Sequence, residues 1–195
     1  MPVPQGATLD PQRTRSEILD VATGLFYDRG VDGVGVAELC ATAGISKQTL
    51  YRHFGSKDGL VEAVVERRSE RVWRRLRDAA AAASGGPESR LAAVFDALGS
   101  WFAQDGFRGC GVMNAATQHR SAPVLRLAER HLDRYRDLLT GIAADAGAAD
   151  PGALGGQLLQ VLEGATLVAS VSPSPADVAG TGQQAALTLL VAGRA

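Results

Sequence analysis

The sequence predicts an all-α fold of about nine helices, with a small N-terminal unit of three helices followed by a larger helical body. Three observations predict it. Apolar residues recur every three or four positions through the chain, as on one face of a helix. The periodic stretches are divided by glycine, proline and serine, which start and stop helices. Beyond residue 87 no stretch reads as a strand. Apolar residues make up 46% of the 195, enough to build a core and to argue against wholesale disorder.

The elements follow in order. Residues 1–12 carry three prolines and a glycine and are expected to form a flexible arm. Ile18, Val21, Ala22, Leu25 and Phe26 then mark a first helix over about 13–29, stopped by Gly30. A glycine-rich loop leads to a short second helix over about 36–43, with Val36, Leu39, Cys40 and Ala43 on its apolar face. Gly44 ends it. Ser46 is placed as the N-cap of a third helix over about 47–53, and Ser56 caps a long fourth helix over about 57–83. The middle of that helix, residues 66–77, is crowded with charge and reads as a solvated face. Ser84-Gly85-Gly86-Pro87 is the clearest break in the chain. Five further helices are expected at about 88–104, 110–119, 123–146, 151–171 and 176–192. The division expected is an arm (1–12), a three-helix domain (13–56) and a body (57–195) that begins with the connecting helix 57–83.

Bulk properties narrow the function classes. The net charge is −1, but residues 1–77 hold 12 Lys/Arg against 10 Asp/Glu, and residues 78–195 hold 8 against 11. This slight asymmetry fits a nucleic-acid-binding head on a neutral body. Cys40 and Cys110 have no CxxC or Cys/His partner nearby and are expected to be reduced thiols in an intracellular protein. No apolar leader segment opens the chain, and no stretch is apolar enough to span a membrane, so a cytoplasmic protein is expected. No nucleophile elbow, phosphate loop, metal cluster or carboxylate pair is present, and Asp96 and Asp105 share no helix face. Neither an enzyme nor a cofactor or metal is therefore expected.

The informative stretch is residues 35–57, GVAELCATAGISKQTLYRHFGSK. Two short helices joined by a tight glycine turn form the layout of a helix-turn-helix. Leu50 anchors the second helix to the first. The remaining face holds Lys47, Gln48, Thr49, Tyr51, Arg52 and His53, all hydrogen-bond donors and none acidic. A core helix would not look like this, and an ordinary solvated helix would mix in Asp or Glu. A helix entering the major groove needs donors for base edges and phosphates and must avoid carboxylates. Lys47 and Arg52 suit guanine O6 and N7, and Gln48 suits adenine. Ser46, Thr49, Tyr51 and His53 suit phosphate oxygens, and Lys57 adds its charge to the free N–H groups of a helix start.

The segment GISKQTLYRHFGSKDGL, residues 44–60, resembles the signature of the TetR family of bacterial repressors, and the resemblance extends over about residues 13–65. It implies base contact from Lys47 and Gln48 and phosphate contact from Thr49, Tyr51, His53 and Lys57, with Arg52 on the same face. One departure is Gly35, where the family usually caps the second helix with Thr or Ser. Residues 109–118, GCGVMNAATQ, resemble a motif of one subgroup of that family. The resemblance implies a homodimeric repressor on a palindromic double-stranded operator, released when a small molecule enters the body and shifts the fourth helix.

For that effector the candidate pocket residues are Trp101, Phe102, Phe107, Met113, Asn114, His119 and Tyr135, aromatic walls with a few polar handles. Few charged residues are expected at the cavity, which points to a neutral or lipophilic ligand. The segment between Asp150 and Asp177 carries only one charge, Glu163. A helix apolar nearly all round must be covered on more than one side, and a second copy of the chain is the natural cover. Leu158, Leu159, Leu162, Ala165, Thr166, Val168, Ala169, Leu187 and Leu190 are the expected dimer residues, and Gly155, Gly156 and Gly164 the expected points of close approach. Two other readings stand beside this one: a ligand-independent regulator or activator, and a protein-interaction adaptor. The adaptor would carry acidic or apolar residues on the third helix, and none is present.

Overall fold

The structure, a computed structural model, describes residues 10–194. Over these residues the chain forms nine α-helices and no strand, only an isolated antiparallel bridge between Ala148 and Arg194. The helices are α1 (Pro11–Arg29), α2 (Val36–Ala43), α3 (Lys47–Phe54), α4 (Lys57–Ala82), α5 (Pro87–Phe102), α6 (Gly111–Gln118), α7 (Ala122–Asp145), α8 (Pro151–Ala169) and α9 (Pro175–Ala192). Most ends fall within two residues of expectation, the usual margin for frayed termini. At its C-terminal end the expected arm is corrected. Helix α1 begins at Pro11, because the Asp10 carboxylate accepts from the Gln12 N–H at 3.0 Å and proline fits the first helical position. The rest of the arm, residues 1–9, lies outside the described residues.

Helix α4 is the spine. Its buried side, Leu60, Val61, Val64, Val65, Val72, Leu76 and Ala80, meets α1 and α3 at its start and α5, α6 and α7 further along. One rigid element thus touches both the three-helix head and the body. In the body the broadest pairings are α5 with α9 and α7 with α8. Phe95, Leu98, Phe102, Leu139, Ile142, Leu158 and Leu190 are sealed in its core. Each such side chain contributes roughly 1.5–3 kcal/mol through burial.

This packing corrects the expected dimer face. Leu158, Leu159, Leu162, Ala165, Thr166 and Ala169 of α8, and Leu190 of α9, are already covered by helices of the same chain, and Leu187 is half-buried. Of the expected residues only Val168 is exposed, at 53%; the other large apolar groups left outside near these helices are Leu167, Val171 and Val191. Gly155 also serves the chain's own packing. A Cβ there would stand 2.9 Å from Thr140 Cα, so glycine lets α7 and α8 approach closely. Gly156 and Gly164 face open space.

Candidate nucleic-acid interface

The turn between α2 and α3 is set by three residues. Gly44 takes φ 64° and ψ 32°, a left-handed conformation that favours glycine at a helix end. The Ile45 N–H then returns to the Cys40 carbonyl at 3.0 Å, and the half-buried Ile45 packs on the core. Ser46 Oγ caps α3 by accepting from the Thr49 N–H at 3.1 Å, and it shares a 3.0 Å hydrogen bond with Thr49 Oγ1. Leu50 is fully buried, and the half-buried Phe54 lies under the Arg15 guanidinium of α1, 5.0 Å from the ring centroid.

With Leu50 and Phe54 inward, the helical period turns Lys47, Gln48, Tyr51 and Arg52 outward, and all four are exposed. Thr49 and His53 are half-buried on the flank facing the start of α1, near Thr14. Tyr51 is 44% exposed, a large phenol left without a core. Among the described residues Lys47, Arg52 and Lys57 lie beyond 4 Å from every carboxylate, whereas Arg29 at the base of the head is paired with Glu38. The donors of α3 are therefore uncommitted. Ser46 and Thr49 hold each other at the start of the helix.

Helix α3 stops at Gly55, φ 74°, whose N–H bonds the Tyr51 carbonyl at 2.7 Å. Ser56 Oγ then caps α4 by accepting from the Gly59 N–H at 3.0 Å, with Lys57 in the first turn. Gly59 is where α4 crosses the end of α3. A Cβ there would stand 2.1 Å from the Phe54 carbonyl oxygen, so the α3–α4 angle leaves no room for a side chain.

The residues expected to line one pocket are dispersed. Phe102 and Tyr135 are core residues, and Met113 is half-buried against the core. His119 lies at the end of α6, its ring 3.6 Å from Asp32 of the head and 3.5 Å from Asp58 of α4. The Asn114 amide donates to the Arg108 carbonyl at 2.8 Å, holding the α5–α6 loop. Asn114 also borders a narrow cleft walled by Phe26, Val61, Val64 and Val65. Trp101 and Phe107, edge to face at 5.2 Å, line a second cleft of about 660 Å³ including its mouth. Tyr27 and Arg68 border both clefts, and Arg71 and Arg75 line the second. The expectation of few charged groups at the cavity is thus corrected for the second cleft. Sequence reasoning missed these arginines, although their spacing on α4, three and four apart, was a signal for one helix face.

A buried polar cluster lies deeper. Ser69 Oγ is 3.0 Å from His131 Nδ1, Cys110 Sγ is 3.5 Å from His131 Nε2, and the His131 and Tyr135 rings are 4.4 Å apart. Both cysteines are free and buried, and burial pushes the Cys110 thiol up to about 11, so it is held as a neutral thiol. Burial lowers His131 to about 4 and raises Glu163 of α8 to about 7. The two act in opposite directions over nearly the same acidic pH window. His131 favours the fold above its ordinary value of 6.5, and that contribution is lost as pH falls toward 4. Glu163 carries no penalty below 4.5, and the fold loses stability as pH rises through 7. Glu163→Gln is therefore expected to gain about 2–3 kcal/mol over wild type at pH 8 relative to pH 4. Urea unfolding at both pH values checks this, and an equal difference at both would count against it.

The glycine turn, the acid-free outer face of α3 and the spine that carries them define a helix-turn-helix protein. The sequence profile described as "Bacterial regulatory proteins, tetR family" matches residues 18–64, which span α1 to the first turns of α4. The chain is 35% identical over 69 residues to the HTH-type transcriptional regulator UidR of Escherichia coli, a match covering 35% of each chain. It is 30% identical over 139 residues to the HTH-type transcriptional activator FasR of Mycolicibacterium smegmatis, covering 70% of this chain and 63% of that one. The chain thus matches about a third of the length of UidR and under two thirds of FasR. The crystal structure of a TetR-family transcriptional regulator from Streptomyces coelicolor superposes with a TM-score of 0.87 at 27% identity, over 94% of this chain and 97% of that one. Residues 18–64 thus carry the sequence pattern of the TetR family, and the chain shares the fold of a TetR-family regulator. Among the described residues no helix is long and apolar enough to cross a membrane, and no cluster of side chains could hold a metal.

Proposed function

We propose that the protein is a homodimeric transcriptional repressor that reads a palindromic DNA operator with α3 and leaves it when a small molecule occupies a cleft of the body. The observation that carries the reading is the outer face of α3, with four exposed donors and no acid. Lys47 and Arg52 supply guanine contacts and Gln48 an adenine contact; Ser46, Thr49, Tyr51, His53 and Lys57 hold phosphates. An adaptor would have no use for that face. Two copies must present their α3 helices about 34–36 Å apart to enter successive major grooves. Leu167, Val168, Val171 and Val191, large apolar groups exposed in the single chain, supply the material for a subunit contact. Release is supported by the position of the clefts, both walled by α1 and α4, because an occupant that favours another α1–α4 arrangement alters the separation of the two heads. A second reading, activation, is favoured by the likeness to FasR, which is named an activator.

One binding experiment tests the core of this. Wild type is titrated onto fragments of its own gene's upstream DNA over a salt series, beside the double variant Leu167→Glu/Val191→Glu. Wild type is expected to sediment as a dimer and to prefer one fragment, with affinity falling steeply as salt rises. The variant is expected to be monomeric and to lose at least about a hundredfold in affinity, since each head then binds without its partner. Absence of fragment preference at low salt would sink the DNA reading; a variant that stays dimeric would move the subunit contact elsewhere. A reporter driven by the preferred fragment separates repression from activation by the sign of its response.

A further inference from the structure

Helix α4 carries six arginines between residues 67 and 77, and the structure divides them into two sets. Arg67 pairs with Asp20 at 3.0 Å, Arg74 with Glu70 at 2.8 Å and Arg77 with Asp78 at 2.8 Å. Arg68, Arg71 and Arg75 have no carboxylate within 4 Å among the described residues. These three lie on one helix face and are the arginines that line the 660 Å³ cleft. Its one carboxylate, Asp105, pairs with none of them.

Arg68 is held in place. Its guanidinium lies 4.0 Å from the centroid of the Tyr27 ring. The Tyr27 hydroxyl is itself pinned, accepting from the Arg108 N–H at 2.6 Å and donating to the Gly109 carbonyl at 3.0 Å. On the other side is Gly111, where a Cβ would stand 2.4 Å from Arg68 Nε. Burial, together with the charge of Arg71, lowers the Arg68 pKa. The three guanidiniums share one cleft with no paired carboxylate, which leaves their donors open to an anion. The apolar part of the lining is Val72 of α4 with Trp101 and Phe107, whose rings meet edge to face.

We propose that this cleft binds an aromatic carboxylate, its carboxyl group taken by the guanidiniums of Arg71 and Arg75 beside the fixed Arg68 and its ring laid against Trp101 and Phe107. Arginine presents a planar fork that matches a carboxylate. The proposal names the effector class of the regulator proposed above and rests on that reading only for the consequence at DNA.

The test needs no operator. The probe is 1-anilinonaphthalene-8-sulfonate, an aromatic anion whose fluorescence rises on binding, with displacement by 2-naphthoate, by its neutral counterpart 2-naphthalenemethanol and by inorganic phosphate. Saturable binding of one probe per chain is expected, displaced by naphthoate and at least about tenfold less well by the alcohol or by phosphate. Arg71→Gln/Arg75→Gln is expected to weaken naphthoate at least about tenfold, while Arg74→Gln/Arg77→Gln, which removes the same charge from paired positions, leaves it unchanged. If the double variant fails to fold by circular dichroism, the exposed Arg71→Gln alone carries the comparison. Equal displacement by the alcohol or by phosphate, or naphthoate affinity unchanged in the arginine variant, would overturn the proposal. Naphthoate that binds as expected yet leaves operator affinity unchanged would count against ligand release and not against the site.

Discussion

Replacing Lys47 with alanine will flatten the discrimination between operator and unrelated DNA, while replacing Tyr51 will weaken both together. Lys47 opens α3 and is exposed, with no carboxylate within reach, so its ammonium is free to meet a base edge. A good base contact is worth about 1–3 kcal/mol of discrimination, or about 5- to 150-fold. Tyr51 lies one turn further on the same face, 44% exposed, where its hydroxyl suits a phosphate. Loss of a hydrogen bond to a charged group costs about 1.5–3 kcal/mol, roughly ten- to a hundredfold on every sequence. Neither side chain supports the core, so unfolding should shift by no more than about 0.5 kcal/mol. The check is binding isotherms on operator and scrambled duplexes with melting curves alongside. Loss of specificity in Tyr51→Ala together with intact specificity in Lys47→Ala would reverse the assigned roles.

Gly59→Ala will lower the melting temperature and operator affinity together. In an ordinary helix this change stabilises by about 0.5–1 kcal/mol, because glycine is the poorer helix former. Here the added methyl would meet a backbone oxygen at 2.1 Å, and neither partner is the movable end of a flexible side chain. The end of α3 must lift away from α4, at an overpacking cost of about 1–3 kcal/mol. For a chain of this size that is a fall of roughly 3–10 °C. Because Phe54 belongs to α3, the shift re-aims Lys47 and Gln48 as well. Gly24→Ala in α1 is the control: that exposed glycine has nothing within 4 Å of its Cβ position, and the variant is expected to melt slightly higher than wild type. A Gly59→Ala protein that also melts higher would mean that the two helices do not approach so closely.

The head was legible because its instructions are local. Gly44, Ser46, Gly55 and Ser56 each act within four residues, through a left-handed turn or a hydroxyl cap, and each was readable from its neighbours. Asp10-Pro11 is the same kind of signal, a capping acid before a first-turn proline, whose meaning lies in its position and not in the number of prolines around it. The body was legible only as helices. Phe102 and Tyr135 were expected in a pocket and lie in the core, because periodicity names the apolar side of a helix but not whether a neighbour or a void lies against it.

The all-helical class, the glycine turn and the donor face of α3 follow from capping chemistry and the 3.6-residue period, and are legible in the residues alone. The tertiary structure decided what depends on partners far along the chain. Arg67 is neutralised by Asp20 of α1, 47 positions earlier, while Arg68 beside it meets the Tyr27 ring instead of a carboxylate. His119 was a candidate ligand contact until Asp32 and Asp58 converged on it from two other elements. The apolar circumference of α8 called for a second chain, yet α7 and α9 of the same chain cover most of it. Helical spacing states which side chains share a face; only the packing of distant helices settles which of those faces meets a counter-charge, a neighbour or an open cleft.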